Sequence, residues 1–298
     1  RSPPSCPPSV IEASERIARF GPDDHLIGIV TRPAHPRPDA PACLLLNAGV
    51  VHRIGPHRIN VKLARALAQD GITSIRVDLS GLGDSAPAAA AVHSGAQVIA
   101  DLRAAMAYLE ATEGCRRFVM FGLCSGAVNA YRLALDDARI VGLLMFDGYV
   151  YPTFKTHFLR RRARVRTLSW GDLARKPAQW LFRKSKAVAE APESAGSNDE
   201  HLRIPTRAQF GQAMDALVAR GTSVYLMYSG SFLEGYNYDN QLRDGFRGAK
   251  FLDGIRHDYV PDIDHTATSL PAQRKLIAAV RDWVQGVAVA AGSKGSST

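Results

Sequence analysis

Nowhere in the 298-residue chain does an apolar run approach the roughly 20 residues needed to cross a bilayer. The best one, "IVGLLMF" from Ile140 to Phe146, has the length of a strand. The opening "RSPPSCPPS" lacks the apolar core of a secretory signal and reads as a flexible tail, and the closing "AAGSKGSST" reads the same way. Four cysteines, Cys6, Cys43, Cys115 and Cys124, show neither C-x-x-C spacing nor the density of a disulfide framework. That excludes a zinc ribbon or a stapled mini-domain, and the chain reads as a soluble protein of a reducing cytoplasm. No internal repeat argues for a solenoid. The "GLGDS" glycines lack the third glycine of a dinucleotide fingerprint, so they read as a tight structural turn. No cofactor or metal is called for.

Acidic residues are scarce in one place. Between Thr153 and Lys186 eleven lysines and arginines stand against a single acid, Asp172, enough to account for the whole net charge of +9. The charge is therefore local, which argues against a chain that is basic throughout.

What is present is a rhythm of short apolar blocks and helical stretches, the pattern of a mainly parallel sheet covered by helices on both faces. Strands are expected at "HLIGIVTRP", "ACLLLNAGV", "ITSIRVDLS", "RFVMFG", "RIVGLLMFDG", "TSVYLMYSG" and "HDYVPDI". Helices are expected at "HRINVKLARALAQDG", "AQVIADLRAAMAYLEATEG", about Gly126 to Leu135, near "NYDNQLRDGF", and at "PAQRKLIAAVRDWVQGV". The rhythm stops between Tyr149 and about Arg220. The expected division is a flexible segment over 1–20, core over 21–150 and 221–288, a basic helical insertion over 151–220, and a disordered tail over 289–298.

Chemistry concentrates in "GLCSGA". Gly122-Leu123-Cys124-Ser125-Gly126 follows a buried strand and precedes a helix, the setting of a turn that holds its central residue in a strained conformation. Both glycines lie two residues from Cys124, so the central residue is Cys124. Ser125 then falls one place later, where its backbone N–H serves as an oxyanion donor. The helix N-terminus favours a thiolate there.

From about residue 25 to 287 the chain resembles the α/β-hydrolases, on three features: this elbow, "VDLSGLGDS" (Val77 to Ser85) after a strand, and "DHT" at Asp264 to Thr266. Within them it looks most like serine aminopeptidase-like and exosortase-associated hydrolases, while a cysteine at the elbow is similar to dienelactone hydrolases. The resemblance implies an α/β-hydrolase fold in which His265 is the base and the insertion is a lid. It implies an acid after "VYLMYSG", with Glu234 first and Asp239 second, or Asp147 at the tip of "LLMFD" instead. It places the second oxyanion donor at the backbone of Gly49 or Val50. His257, eight residues before His265, reads as surface or structural.

A cysteine nucleophile makes the acyl-enzyme itself a thioester, so exchange with coenzyme A or carrier-protein thioesters is nearly balanced. The expected function is therefore that of a thioesterase or acyltransferase. The alternatives are hydrolysis of a small ester or lactone, or a non-catalytic member of the fold. Arg160, Arg161 and Arg162 in the lid are candidate contacts for a coenzyme A phosphate or an acidic carrier protein. Trp170, Trp180, Leu181 and Phe182 beside the basic residues also suit a membrane-surface lid. No nucleic-acid-binding motif accompanies the charge.

Overall fold

The computed structural model describes residues 13–46, 48–88, 95–167, 204–232 and 235–295. Eight strands form one sheet: β1 (Ser14–Phe20), β2 (Leu26–Arg32), β3 (Ala42–Leu46), β4 (Ser74–Val77), β5 (Phe118–Leu123), β6 (Ile140–Phe146), β7 (Ser223–Ser229) and β8 (Ile255–Val260). Their spatial order is β1-β2-β4-β3-β5-β6-β7-β8. β2 pairs antiparallel with β1 and with β4, and the pairings from β4 through β3, β5, β6 and β7 to β8 are all parallel. The helices are α1 (Ile59–Gln69), α2 (Gly95–Glu113), α3 (Ser125–Asp136), α4 (Phe154–Thr167), α5 (Arg207–Ala219), the short α6 (Gln241–Gly245) and α7 (Leu270–Gly295).

The central strands are apolar without interruption because both of their faces are covered. Along β3 and β5, Leu44 and Met120 join Leu102, Met106, Leu133, Phe210 and Met214 of α2, α3 and α5 in one core. Their neighbours Cys43, Leu45, Val119 and Phe121 face the other way, toward Leu63 and Leu67 of α1 and Leu276, Val280 and Val284 of α7. Cys43 is thus a core residue, and burial pushes its thiol up to about 12.

Three boundaries differ from expectation. Residues 14–20, assigned to the flexible N-terminal segment, form β1 and pair along their whole length with β2. Only Ala18 and Phe20 of this edge strand are buried, so its sequence carries almost no apolar signal. Residues 207–219, assigned to the insertion, form α5, whose Phe210, Met214 and Leu217 pack into the core beside α3 and β7. Thr206 opens α5 with a reciprocal capping box to Gln209, a start signal hidden inside a stretch read as irregular. The closing helix runs on to Gly295, through residues assigned to a disordered tail, with Val287 and Ala288 still buried. Of the rest of the expected insertion, α4 lies within the described residues, while Trp170, Trp180, Leu181 and Phe182 lie outside them. Cys6 lies outside them as well.

Phe121 sits in the middle of the sheet with no exposed surface. Phe121→Ala should lower the unfolding free energy by about 3–5 kcal/mol in urea titration. A loss below about 1 kcal/mol would contradict this packing.

Candidate active site

The parallel sheet brings four strand ends to one edge, where an open α/β sheet collects its functional groups. The turn between β5 and α3 is the most constrained of them. Cys124 has φ 56° and ψ −118°, a backbone conformation that side-chain-bearing residues rarely adopt. A β-carbon on Gly122 would lie 2.2 Å from the Gly126 carbonyl oxygen, so the backbones two residues either side of Cys124 touch. Hydrogen bonds from the Cys124 N–H to the Phe146 carbonyl (2.9 Å) and from the Ala127 N–H to the Cys124 carbonyl (3.0 Å) hold the turn. Strain of this kind costs about 1–3 kcal/mol and persists only where its surroundings enforce it.

Asp147 and His265 meet beside Cys124. Asp147 directly follows β6, has φ 50°, and is 3% exposed. Its Oδ1 accepts from the Ser229 N–H at 2.7 Å, and its Oδ2 lies 2.8 Å from His265 Nδ1. His265 sits in the loop after β8, its N–H donating to Ser231 Oγ (2.6 Å) and its ring stacked near Phe232. That loop is closed by Asp264, which accepts from the Thr268 N–H at 2.7 Å. With Nδ1 turned to the carboxylate, Nε2 is the ring nitrogen left to make the hydrogen bond between His265 and the Cys124 thiol.

The electrostatics of the pair follow from these contacts. The hydrogen bond to Asp147, then that to Cys124, raises His265 to about 10 against the penalty of partial burial. The hydrogen bond from His265 holds the Cys124 thiol below its ordinary range, helped by the Ser125 N–H and opposed by burial and by the charge of Asp147. Each group thus favours the charged form of the other, thiolate beside imidazolium, and the two titrate as a coupled pair.

The acid beside His265 is thus Asp147, the alternative to Glu234, which lies outside the described residues. Asp239 is turned elsewhere: its backbone carbonyl accepts from the Tyr236 hydroxyl (3.0 Å), and its charge acts on His257. His257 lies within β8, its Nε2 2.7 Å from the Tyr236 hydroxyl, and burial lowers its pKa. It belongs to an aromatic cluster with Tyr228 and Tyr236, which stack at 4.0 Å.

At the end of β3, the Gly49 N–H donates to Ser125 Oγ at 2.6 Å. Gly49 is therefore brought against the elbow, while the Val50 side chain is 84% exposed. Sequence reasoning gave Ser125 only its backbone N–H, and its hydroxyl contact with the neighbouring loop had no signal in the chain. Arg160, Arg161 and Arg162 stand on α4, which Thr153 and Thr156 cap and which begins seven residues past Asp147. Arg161 and Arg162 are exposed. The "VDLSGLGDS" segment is the structural turn expected. Asp78 accepts from the Arg53 N–H (2.6 Å) and the Asp84 N–H (3.0 Å), and Gly83 at φ 55° would collide with Asp78 if it carried a β-carbon. Among the described residues no cluster of His, Cys, Asp and Glu could hold a metal ion, and no helix is long and apolar enough to cross a membrane.

The model of the serine aminopeptidase, S33, hydrolases matches residues 48–229. The chain belongs to that family. An esterase of Pyrococcus furiosus superposes with a TM-score of 0.59 at 14% identity, over 97% of this chain and 96% of that one. A proline iminopeptidase of Mycobacterium smegmatis does so with a TM-score of 0.52 at 18% identity, over 93% and 100%. No curated protein matches the chain. At these identities the solved structures establish the α/β-hydrolase fold, and the family establishes the class of hydrolases. The S33 family is named for a serine, whereas the residue at the centre of this elbow is Cys124.

The hydrogen bond from His265 predicts a thiol that reacts below the usual pH. Alkylation of Cys124 by iodoacetamide, followed across pH by intact-mass spectrometry, should have its midpoint below the ordinary thiol value of about 8.5. In His265→Ala only the Ser125 N–H still opposes the burial of Cys124 and the charge of Asp147, so the midpoint should rise to that value or above. Coincident profiles for the two proteins would contradict the contact.

Proposed function

We propose that this S33-type hydrolase is an acyl-transfer enzyme working through an acyl-sulfur intermediate, with Cys124 as nucleophile, His265 as base and acid, and Asp147 as the group that orients His265. The observation that carries the reading is the strained Cys124 at the elbow, hydrogen-bonded to a histidine whose other nitrogen is fixed by a buried carboxylate. A base with an orienting third group beside a nucleophile is the arrangement that acyl transfer requires.

The thiolate attacks the acyl carbonyl carbon. A sulfur–carbon bond forms and the carbonyl π pair moves to oxygen, where the Ser125 N–H and the loop that carries Gly49 supply the expected backbone donors. The pair returns as the bond to the leaving group breaks, and the leaving oxygen or sulfur takes the proton from His265 Nε2. His265 then removes a proton from water or another acceptor as that acceptor bonds to the acyl carbonyl carbon. The carbon–sulfur bond breaks as the carbonyl re-forms, which releases the acyl product and restores the thiolate beside the protonated His265.

Oxygen esters suit this cycle, in keeping with the hydrolase family. Thioesters suit it further, because an acyl-cysteine stores about the same free energy as the donor thioester. The basic face of α4, with Arg161 and Arg162 exposed, supports a donor bearing phosphate, such as coenzyme A, or an acidic carrier.

Mixed with p-nitrophenyl acetate or acetyl coenzyme A, the protein should gain the mass of one acetyl group before turnover. Cys124→Ala should abolish the gain, Ser125→Ala should still be labelled, and His265→Ala should acylate about 10²–10⁴-fold more slowly. An acetyl group that survives Cys124→Ala, or no acetylation of the native protein by either donor, would refute the reading.

A further inference from the structure

The Gly49–Ser125 contact gives the side chain after the nucleophile a role of its own. Ser125 is the first residue of α3, so its backbone N–H points at the Cys124 sulfur while its hydroxyl reaches across to the loop after β3. The hydroxyl accepts from the Gly49 N–H at 2.6 Å. A hydroxyl offers one donor and two acceptor lone pairs, so accepting from Gly49 leaves its own proton available to donate. An N–H pointing at the oxygen also polarises the O–H, as in any chain of hydrogen bonds.

In the proposed cycle an oxyanion formed on a carbonyl attacked by Cys124 is received by the two expected donors, the Ser125 N–H and the Gly49 N–H. The Ser125 hydroxyl already occupies the space in front of the second of these. We infer that the Ser125 hydroxyl is itself a catalytic group: it donates its proton to the oxyanion, with the Gly49 N–H acting on it from behind. The inference rests on the reading of Cys124 as nucleophile and adds to it a side-chain donor.

The electron flow is that of the acylation step. As the sulfur–carbon bond forms, the π pair becomes a lone pair on oxygen, and the Ser125 O–H shares its proton with that oxygen without transferring it. As the leaving group departs with the His265 proton, the lone pair re-forms the carbonyl and the Ser125 O–H keeps its proton.

The geometry allows the opposite outcome for the same contact, in which the hydroxyl plugs the hole and holds the Gly49 N–H away from substrate. Kinetics separate the two. The pre-steady-state acylation rate with p-nitrophenyl acetate should fall about a hundredfold in Ser125→Ala, the scale of losing one oxyanion donor, with KM little changed. Ser125→Thr, which keeps the hydroxyl, should recover most of that loss. Alkylation by iodoacetamide displaces iodide from carbon and forms no oxyanion, so its rate should be the same in Ser125→Ala as in the native protein.

An acylation rate that stays level or rises in Ser125→Ala would overturn the inference, a rise marking the hydroxyl as a plug. Parallel losses in acylation and alkylation would also overturn it, because the substitution would then act on the thiol alone. Failure of the nucleophile reading looks different from all of these, since the acetyl group would then persist in Cys124→Ala.

Discussion

The backbone contact between Gly122 and Gly126 sets everything else at this site. With no β-carbon on Gly122, the chain can leave β5, reverse and enter α3 within the span of a single residue, which is left at a positive φ. That reversal lifts Cys124 above the sheet edge, aims the Ser125 N–H at its sulfur and directs the first turn of α3 at the same point. Any side chain at 122 would open the turn, and the histidine could no longer meet the thiol.

The sheet supplies the remaining geometry by adjacency. β5 lies beside β3 on one side and β6 on the other, so Gly49 and Asp147 emerge on either flank of Cys124. β7 follows β6 and β8 follows β7, which brings Ser229 and Ser231 within reach of Asp147 and His265. Strain recurs at Asp147, whose φ of 50° turns its carboxylate back over the end of β6. Its amide hydrogen bond to Met227 ties this second kink into the sheet, as the Cys124 amide is tied to Phe146. A core packed on both faces makes these positions stiff, and stiffness is what a proton-sharing pair needs.

Much of this was legible in the chain because it depends on local pattern. The spacing of two glycines about Cys124 placed the elbow, and the uninterrupted apolar blocks placed the parallel strands. His265 was legible through its loop, helped by the resemblance to α/β-hydrolases. Which carboxylate meets His265 stayed open between Glu234, Asp147 and Asp239, because it depends on which strand end leans toward the histidine, a property of sheet order rather than of sequence near Asp147. β1 was hidden because an edge strand with one exposed face and charged Glu15, Arg16 and Arg19 looks like solvent-facing loop. Residues 207–219 were hidden by the basic stretch before them, although Phe210, Met214 and Leu217 already carried helical spacing. The bond from Gly49 to Ser125 spans 76 residues and left no trace in either segment.

The cysteine changes the energetics of the fold's usual chemistry more than its geometry. A serine at the elbow would make an oxygen-ester intermediate, whereas the acyl-cysteine of the proposed cycle would keep the acyl group at the higher energy of a thioester for whichever acceptor arrives. Two adjacent residues could in principle hold that acyl group, and they differ in the bond they would form. The decisive measurement is to trap the acylated native protein at low pH, map the modified peptide, and expose it to neutral hydroxylamine. The account predicts an acyl group on Cys124 that hydroxylamine releases at neutral pH, as it releases thioesters. An acyl group on Ser125 that resists neutral hydroxylamine, as an oxygen ester does, would contradict it.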